Sequence, residues 1–389
     1  MKTGYLKAVL LVLGLLVSGC GLSPLTAAAV VVARAGRIVP QRIPLVRGCY
    51  SPNDQWSWFC AAKPGTAGTA IFIGAAGPAV WPFASFLPIP HYLGTPASWR
   101  RPNIGFRAAA MMRNGKTLAA TVWKRHFSRG LSVYSRRIGM WDLRYGNAIR
   151  RLTIRQIGMV RSMAFSPGDR WLAIGGRLFP GDCRGFLVNA TDGKMGCRLR
   201  LPAALNKEIK HRPSGMAFGP GHSLLVVMGR WLCSWQVPGG TLIYAVKTQQ
   251  RNKLYGPGSL MLTGHGRRIL IADNQVGRVQ WRSVRNGRLI HQWHIHFPGR
   301  SGYWRRIGIM GAAVLNSGKY VVCVVQRKLD DLQRGRVLIV DAKTGYVVAA
   351  SRTAMACFWG ISVASGGTYL ITWGDLGVRL WKVPAGLSD

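Results

Sequence analysis

Three histidines crowd one short stretch, His291, His294 and His296, and they are the first place to look for metal or acid–base chemistry. Side chains alternate along an extended strand, so His294 and His296 would share a face and His291 would take the other. No carboxylate stands nearby to complete a ligand set or orient an imidazole. The pattern reads as strand or surface histidines, with no metal site. The one adjacent pair of acids, Asp330 and Asp331, sits among Arg327, Lys328 and Arg334 and reads as a charged loop. General acid–base, glycosidase-type and calcium-dependent chemistry all need converging carboxylates, and the remaining acids are scattered singly. No G-x-S-x-G, H-E-x-x-H or G-x-x-x-x-G-K segment occurs. These observations predict a noncatalytic protein without a cofactor.

The chemistry that is left is electrostatic. Of 389 residues, 53 are Lys or Arg and 12 are Asp or Glu, with Glu208 the sole glutamate, giving a formal charge of +41. Such a surface attracts polyanions and acidic partners over about 10 Å at ordinary salt. Arginine outnumbers lysine by 39 to 14, which suits bidentate contacts to phosphate or carboxylate. A second reading fits the same composition: in an acidic habitat, a protein with few carboxylates has little carboxylate-dependent stability to lose. The basic residues are spread along the chain and form no single block, so both readings stand. The 8 cysteines include no C-x-x-C pair, which argues against zinc-ribbon and thioredoxin-like sites. In an oxidising compartment the short separations would permit Cys183 to bridge Cys197 and Cys49 to bridge Cys60. Cys233 and Cys323 lie in apolar strand patterns and read as packed thiols.

What must position these residues is a repeat. Met163-Ala164-Phe165-Ser166-Pro167-Gly168 followed by Trp171-Leu172-Ala173-Ile174 is echoed by Met216-Ala217-Phe218-Gly219-Pro220-Gly221 followed by Leu224-Leu225-Val226-Val227. The turn position recurs at Asp54, Gly115, Gly168, Gly221, Gly266, Gly318 and Gly367, at spacings of 61, 53, 53, 45, 52 and 49 residues. A third strand carries a large apolar residue five positions before a small turn residue: Trp141 and Gly146, Val188 and Gly193, Trp235 and Gly240, Trp281 and Asn286, Val340 and Gly345, Trp381 and Gly386. Glycine supplies the positive φ that tight hairpins need. A period near 50 residues with three or four short strands per unit predicts an all-β fold, a seven-bladed β-propeller. Eight blades are the alternative if the Val80 to Phe106 region adds a sheet. The last unit stops after its third strand, so an N-terminal strand from 29–46, with Val30-Val31-Val32 or Ile43-Pro44-Leu45-Val46, is expected to close the last blade and remove an open edge. The Trp141-Asp142 phrase and the Phe165-Ser166-Pro167-Gly168 turn resemble the WD-repeat family. Asp341-Ala342-Lys343-Thr344-Gly345 is similar to quinoprotein-type propeller repeats.

In a propeller the loops joining second to third strands, and fourth strands to the next unit, share one face. Those loops carry the candidate binding surface: Lys124, Arg125, Arg129, Arg136 and Arg137 in one, and Tyr303, Trp304, Arg305 and Arg306 in another. Aromatic rings among cations suit a binding surface because they bury much area at low entropy cost.

The N-terminus says where this surface would work. Lys2 and Lys7 precede an apolar run from Ala8 to Val17, and Val17-Ser18-Gly19-Cys20 follows. The run is too short to span a bilayer, which needs about 20 apolar residues, and its basic, apolar, small-residue order is that of a removable signal. It resembles the lipobox of bacterial lipoproteins. That resemblance implies a signal peptide over 1–19, lipidation of Cys20, a lipidated tether over 20–28 and a propeller domain over 29–389. Gly21, where inner-membrane retention favours aspartate, implies an outer-membrane protein facing the periplasm or the exterior. The expected function is a membrane-anchored scaffold for a protein partner. The alternative is a polyanion-binding module for lipopolysaccharide, acidic wall polymer or extracellular nucleic acid, the last disfavoured because an exported protein rarely meets it.

Overall fold

The computed structural model describes residues 41–43, 45–49, 58–62, 69–74, 77–82, 91–92 and 104–387, the last with interruptions at 113–115, 125, 129–130, 134–136, 143–144, 146, 154–156, 179–182, 210–212, 249–258, 264–265, 274–276, 297–306, 316–317, 330–331, 353–357, 364–366 and 375–376. The expected signal and tether, Cys20 and Val30-Val31-Val32 lie outside these residues.

The described strands form antiparallel sheets spanning 58–92, 104–153, 157–200, 213–247, 259–294, 307–350 and 358–382, with a separate hairpin of His126–Ser128 and Leu131–Val133. Their first strands touch in a closed circuit, from Trp58–Ala62 through Ile104–Met111, Ile157–Phe165, Pro213–Phe218, Ser259–Thr263 and Ile307–Leu315 to Phe358–Val363 and back. This is a β-propeller. The expectation of seven blades, or eight, is corrected: six of the sheets are four-stranded blades, and the 307–350 sheet is five-stranded. The physical reason is that the N-terminal segment divides between two sheets. Gln41–Arg42 adds in parallel to the outer strand Val347–Ala350, while Leu45–Cys49 pairs antiparallel with Gly377–Lys382 and supplies that sheet's fourth strand. Among the described residues the Val80 to Phe106 region adds no further sheet: its strands belong to the 58–92 and 104–153 sheets.

Burial explains why the middle strands read as unbroken apolar runs. Ser223–Met228 is buried at every position, because neighbouring blades cover both faces. By contrast, Leu289–His294 lies at the rim and buries only Trp293. The core sits between sheets: Leu225, Val227 and Leu232 of one blade pack on Ile269, Ile271 and Val284 of the next. Trp141, Val188, Trp235, Trp281, Val340 and Trp381, the recurrent third-strand residues, are all buried. The indole of Trp235 donates to the Arg200 carbonyl of the preceding blade at 3.1 Å.

The turn glycines hold one blade to the next. At Gly193, Gly240, Gly287 and Gly345 φ is +74°, +76°, +68° and +78°, a region that glycine alone enters freely. Each packs on the outer strand of the preceding blade: Gly193 on Leu152, Gly240 on Cys197 and Arg198, Gly287 on Tyr244 and Val246, Gly345 on Trp293 and His294. At the expected Asn286 marker the positive φ falls instead on Gly287, and the Asn286 carboxamide accepts from the Arg288 amide at 3.1 Å.

Cys183 stands opposite Arg200 in the 157–200 sheet, three residues along the strand from Cys197. That offset is about 10 Å at the strand rise, beyond the reach of a disulfide. Cys49 and Cys60 lie on strands of different sheets. Cys233 and Cys323 are buried as expected. Burial pushes the Cys233 thiol up to about 12, against the opposing pull of Arg184, and burial likewise raises Cys323.

Two outcomes follow. Gly287→Ala places a Cβ 2.7 Å from both Tyr244 and Val246 at φ +68°, and should lower stability by about 1–3 kcal/mol. Gly168→Ala meets no atom within 4 Å, and should change stability by less than about 0.5 kcal/mol; denaturant midpoints compare the two. Cys233 and Cys323 should resist alkylation at neutral pH in the folded chain and react once denaturant is added, because the thiolate is the reactive form; mass spectrometry of the labelled peptides reads this directly.

Candidate functional site

Strand polarity divides the ring into two faces. Second-to-third strand connections and the links between blades emerge on one, the loop face; the remaining hairpin turns emerge on the other, the turn face. On the loop face two β-hairpins extend past the blades. Tyr320–Leu329 and Leu332–Asp341 are ten residues each and stay paired as far as Leu329 with Leu332, against six residues each in Ser223–Met228 and Trp231–Gln236. Four extra residues at strand rise carry the hairpin about 13 Å further. Arg327 pairs in register with Arg334, and Lys328 with Gln333. The second hairpin joins Ser128 to Leu131 and stands between Thr117–Lys124 and Arg137–Asp142.

Of the expected binding surface, Lys124 closes the strand Thr117–Lys124 opposite Ile104, and Arg137 opens the next strand between Val122 and Thr153. Both are therefore at the same end of adjacent strands, at the foot of the 126–133 hairpin. Arg125, Arg129, Arg136, Tyr303, Trp304, Arg305 and Arg306 lie outside the described residues, as does the lipidation position Cys20.

A short helix, Ala203–Glu208, is pinned to the loop face by Arg184, whose guanidinium donates to the Ile209 carbonyl at 2.7 Å and the Asn206 carbonyl at 3.4 Å, and also to the Asn206 side chain. Glu208 pairs with Lys247 at 3.0 Å, both half exposed, a contact worth little by itself.

The turn face carries a feature that the repeat contained without announcing it. The two echoed motifs, at 163–171 and 216–222, flank a cleft of about 570 Å³ lined by Pro167, Arg170, Trp171, Phe218, Pro220 and Val237 among others. The Arg170 guanidinium lies 5.4 Å above the Trp171 indole. The signal that could have revealed it was the duplication of aromatic and proline residues in adjacent units, read for the fold and not for the gap between the turns.

The histidines do not converge on a metal. Among the described residues no group of three His, Cys, Asp or Glu side chains could hold one. The His291 ring contacts the Lys343 carbonyl at 3.0 Å, His296 meets the Tyr346 ring with centroids 5.4 Å apart, and His294 stands on the outer strand. Beneath them the sequence reading missed a buried ion pair, Arg278 with Asp273 at 3.2 Å. Next to it the Arg282 guanidinium donates to Gln280 at 2.9 Å and to the Gly287 carbonyl at 2.7 Å.

No protein-family model and no curated protein sequence matches this chain. Among solved structures it is similar to the β-propeller domain of Cps50 (Swd1) from Myceliophteria thermophila, with a TM-score of 0.63 and 16% identity over 88% of this chain and 99% of that one. At that identity the likeness establishes the β-propeller fold alone.

One pH dependence follows from the histidine strand. Desolvation first, then the Arg278 and His296 charges, hold His294 below its ordinary value of 6.5, with Asp273 pulling the other way. The folded chain thus takes up this proton less readily than the unfolded chain. The contribution is intact above about 6.5 and is lost as pH falls below it towards the depressed folded value. His294→Gln should flatten the decline in melting temperature between about pH 6.5 and pH 5 relative to the unsubstituted protein, as measured by thermal melts across a buffer series.

Proposed function

We propose that this chain is a noncatalytic propeller scaffold, lipid-anchored through Cys20 in the bacterial envelope, that holds an acidic protein partner on its loop face. The observation that carries the reading is the hairpin Tyr320–Asp341, which extends past the blades and carries Arg327, Lys328 and Arg334 out on the loop face, the face that also holds Lys124 and Arg137. A rigid ring fixes such loops in space, so a partner meets them without ordering them first. Their charge steers an acidic surface towards them. The sequence from Lys2 to Cys20 supports lipid anchoring, and Gly21 after it supports the outer membrane, facing the periplasm or the exterior.

A polyanion reading has its own support in the +41 charge, and salt separates the two. Phosphate-type contacts weaken steeply as counterions compete, whereas a shape-matched protein interface with a buried anchor persists. Capture with the full chain from mild-detergent envelope extract, washed at low and then high salt, should retain one discrete protein. Combined substitution of Arg327, Lys328 and Arg334 by alanine should weaken that capture at least about tenfold, the loss of about 1.4 kcal/mol. Cys20→Ser should move the chain from the membrane to the soluble fraction. Recovery of nothing but bait at high salt would sink the scaffold reading and leave polyanion contact.

A further inference from the structure

We propose that the turn-face cleft is a second binding site, for an extended acidic peptide segment carrying an aromatic anchor. It lies on the face opposite the hairpins and stands independently of the loop-face reading.

Its shape is the first argument. A cleft of about 570 Å³ falls within the range of pockets that bury a compact ligand, about 300–1,000 Å³. Trp171 and Phe218 supply ring surfaces, and the two turn prolines Pro167 and Pro220 line the cleft with them. A cleft of this size between two turns accepts a flat side chain with its neighbouring backbone; a bilayer surface is too broad to enter it.

The walls are also preorganised. The Trp171 indole rests on Gly196, where a Cβ would come within 2.5 Å of the ring. The Trp171 amide donates to the Ser166 hydroxyl at 3.0 Å, which fixes the turn beside it. A site whose side chains are already held loses less entropy when a ligand arrives.

Charge selects the ligand. Arg170 is the one Lys, Arg, Asp or Glu among the lining residues. On the far side Gly266 packs on Pro220, where an added Cβ would lie 3.1 Å from the ring, so exposed Arg267 and Arg268 follow beside that wall. Cations therefore flank an aromatic cleft, and the complement is a carboxylate-bearing segment with a ring to bury. Arg170 can pair with a carboxylate through its planar fork.

The test is fluorescence anisotropy on the purified full chain, with a labelled hexapeptide of alternating aspartate and phenylalanine. Matching peptides carry lysine for aspartate or alanine for phenylalanine. We expect the first to bind and both controls to bind at least about tenfold more weakly. Gly168→Trp fills the mouth of the cleft from a position with no neighbour within 4 Å of its Cβ. It should keep the melting temperature and lose at least about tenfold in affinity. Arg170→Ala should lose about tenfold, while Lys319→Ala, a cation beyond the cleft, should leave binding unchanged. Full binding by Gly168→Trp, or equal binding of the phenylalanine-free peptide, overturns the proposal. The assay contains neither membrane nor envelope extract, so its failure is distinct from a failure of anchoring or of loop-face capture.

Discussion

The contact on which the rest of the ring depends is the approach of a left-handed turn glycine to the outer strand of the blade before it. Gly193, Gly240, Gly287 and Gly345 each make it, and at each an added Cβ would fall within about 3.0 Å of a neighbouring atom. The turn must bend through positive φ, and the next blade must come close enough to exclude water. Only a residue without a side chain meets both demands. Once the outer edges are tied in this way, inter-blade packing of residues such as Leu225, Val227, Ile269 and Ile271 follows. The indole of Trp293 shows the same coupling from the other direction, donating to the Ala342 carbonyl of the following blade at 2.7 Å.

A chain so poor in carboxylates must find other acceptors for its buried guanidinium groups. Arg278 uses one of the 12 acids, Asp273. Arg184 and Arg282 turn instead to backbone carbonyls, at Ile209 and Gly287 respectively. Arginine has five donors and never gives up its charge within the physiological range, so a carbonyl at a turn or helix end is a serviceable partner. This arrangement depends less on carboxylate ionisation than paired acids would. Burial lowers Arg282 from its ordinary value, the nearby Tyr244 acting in the opposite sense.

Rigid blades and two unlike faces together give the functional proposals their form. The loop face extends hairpins outward, with Arg327 and Arg334 paired along one of them, a geometry for meeting a surface. By contrast, the turn face folds its prolines and aromatics around a cleft, a geometry for receiving a segment. The two sites have opposite shapes because second-to-third strand hairpins can lengthen without disturbing the ring, whereas the turn-face hairpins are held close by the glycine contacts.

Much of the fold was legible in the sequence because propeller strands are local. The turn glycines, the third-strand tryptophans and the apolar middle strands recur at fixed offsets, and period and burial arise within single units. The cysteines at 233 and 323 could be placed in the core for the same reason. What the sequence could not decide were the choices made between units. The division of the N-terminal segment, with Gln41–Arg42 added to one sheet and Leu45–Cys49 to the next, left six four-stranded blades and one broader sheet; it depends on which outer edges stand open, a property of the assembled ring. Strand register set Cys183 away from Cys197, although their spacing in the chain is short. The cleft and the Arg278–Asp273 pair each join residues whose neighbourhood exists only after adjacent strands or blades have packed. Composition and period determined an all-β ring of high positive charge, since both are sums over local sequence; tertiary packing alone decided where that charge meets an aromatic surface.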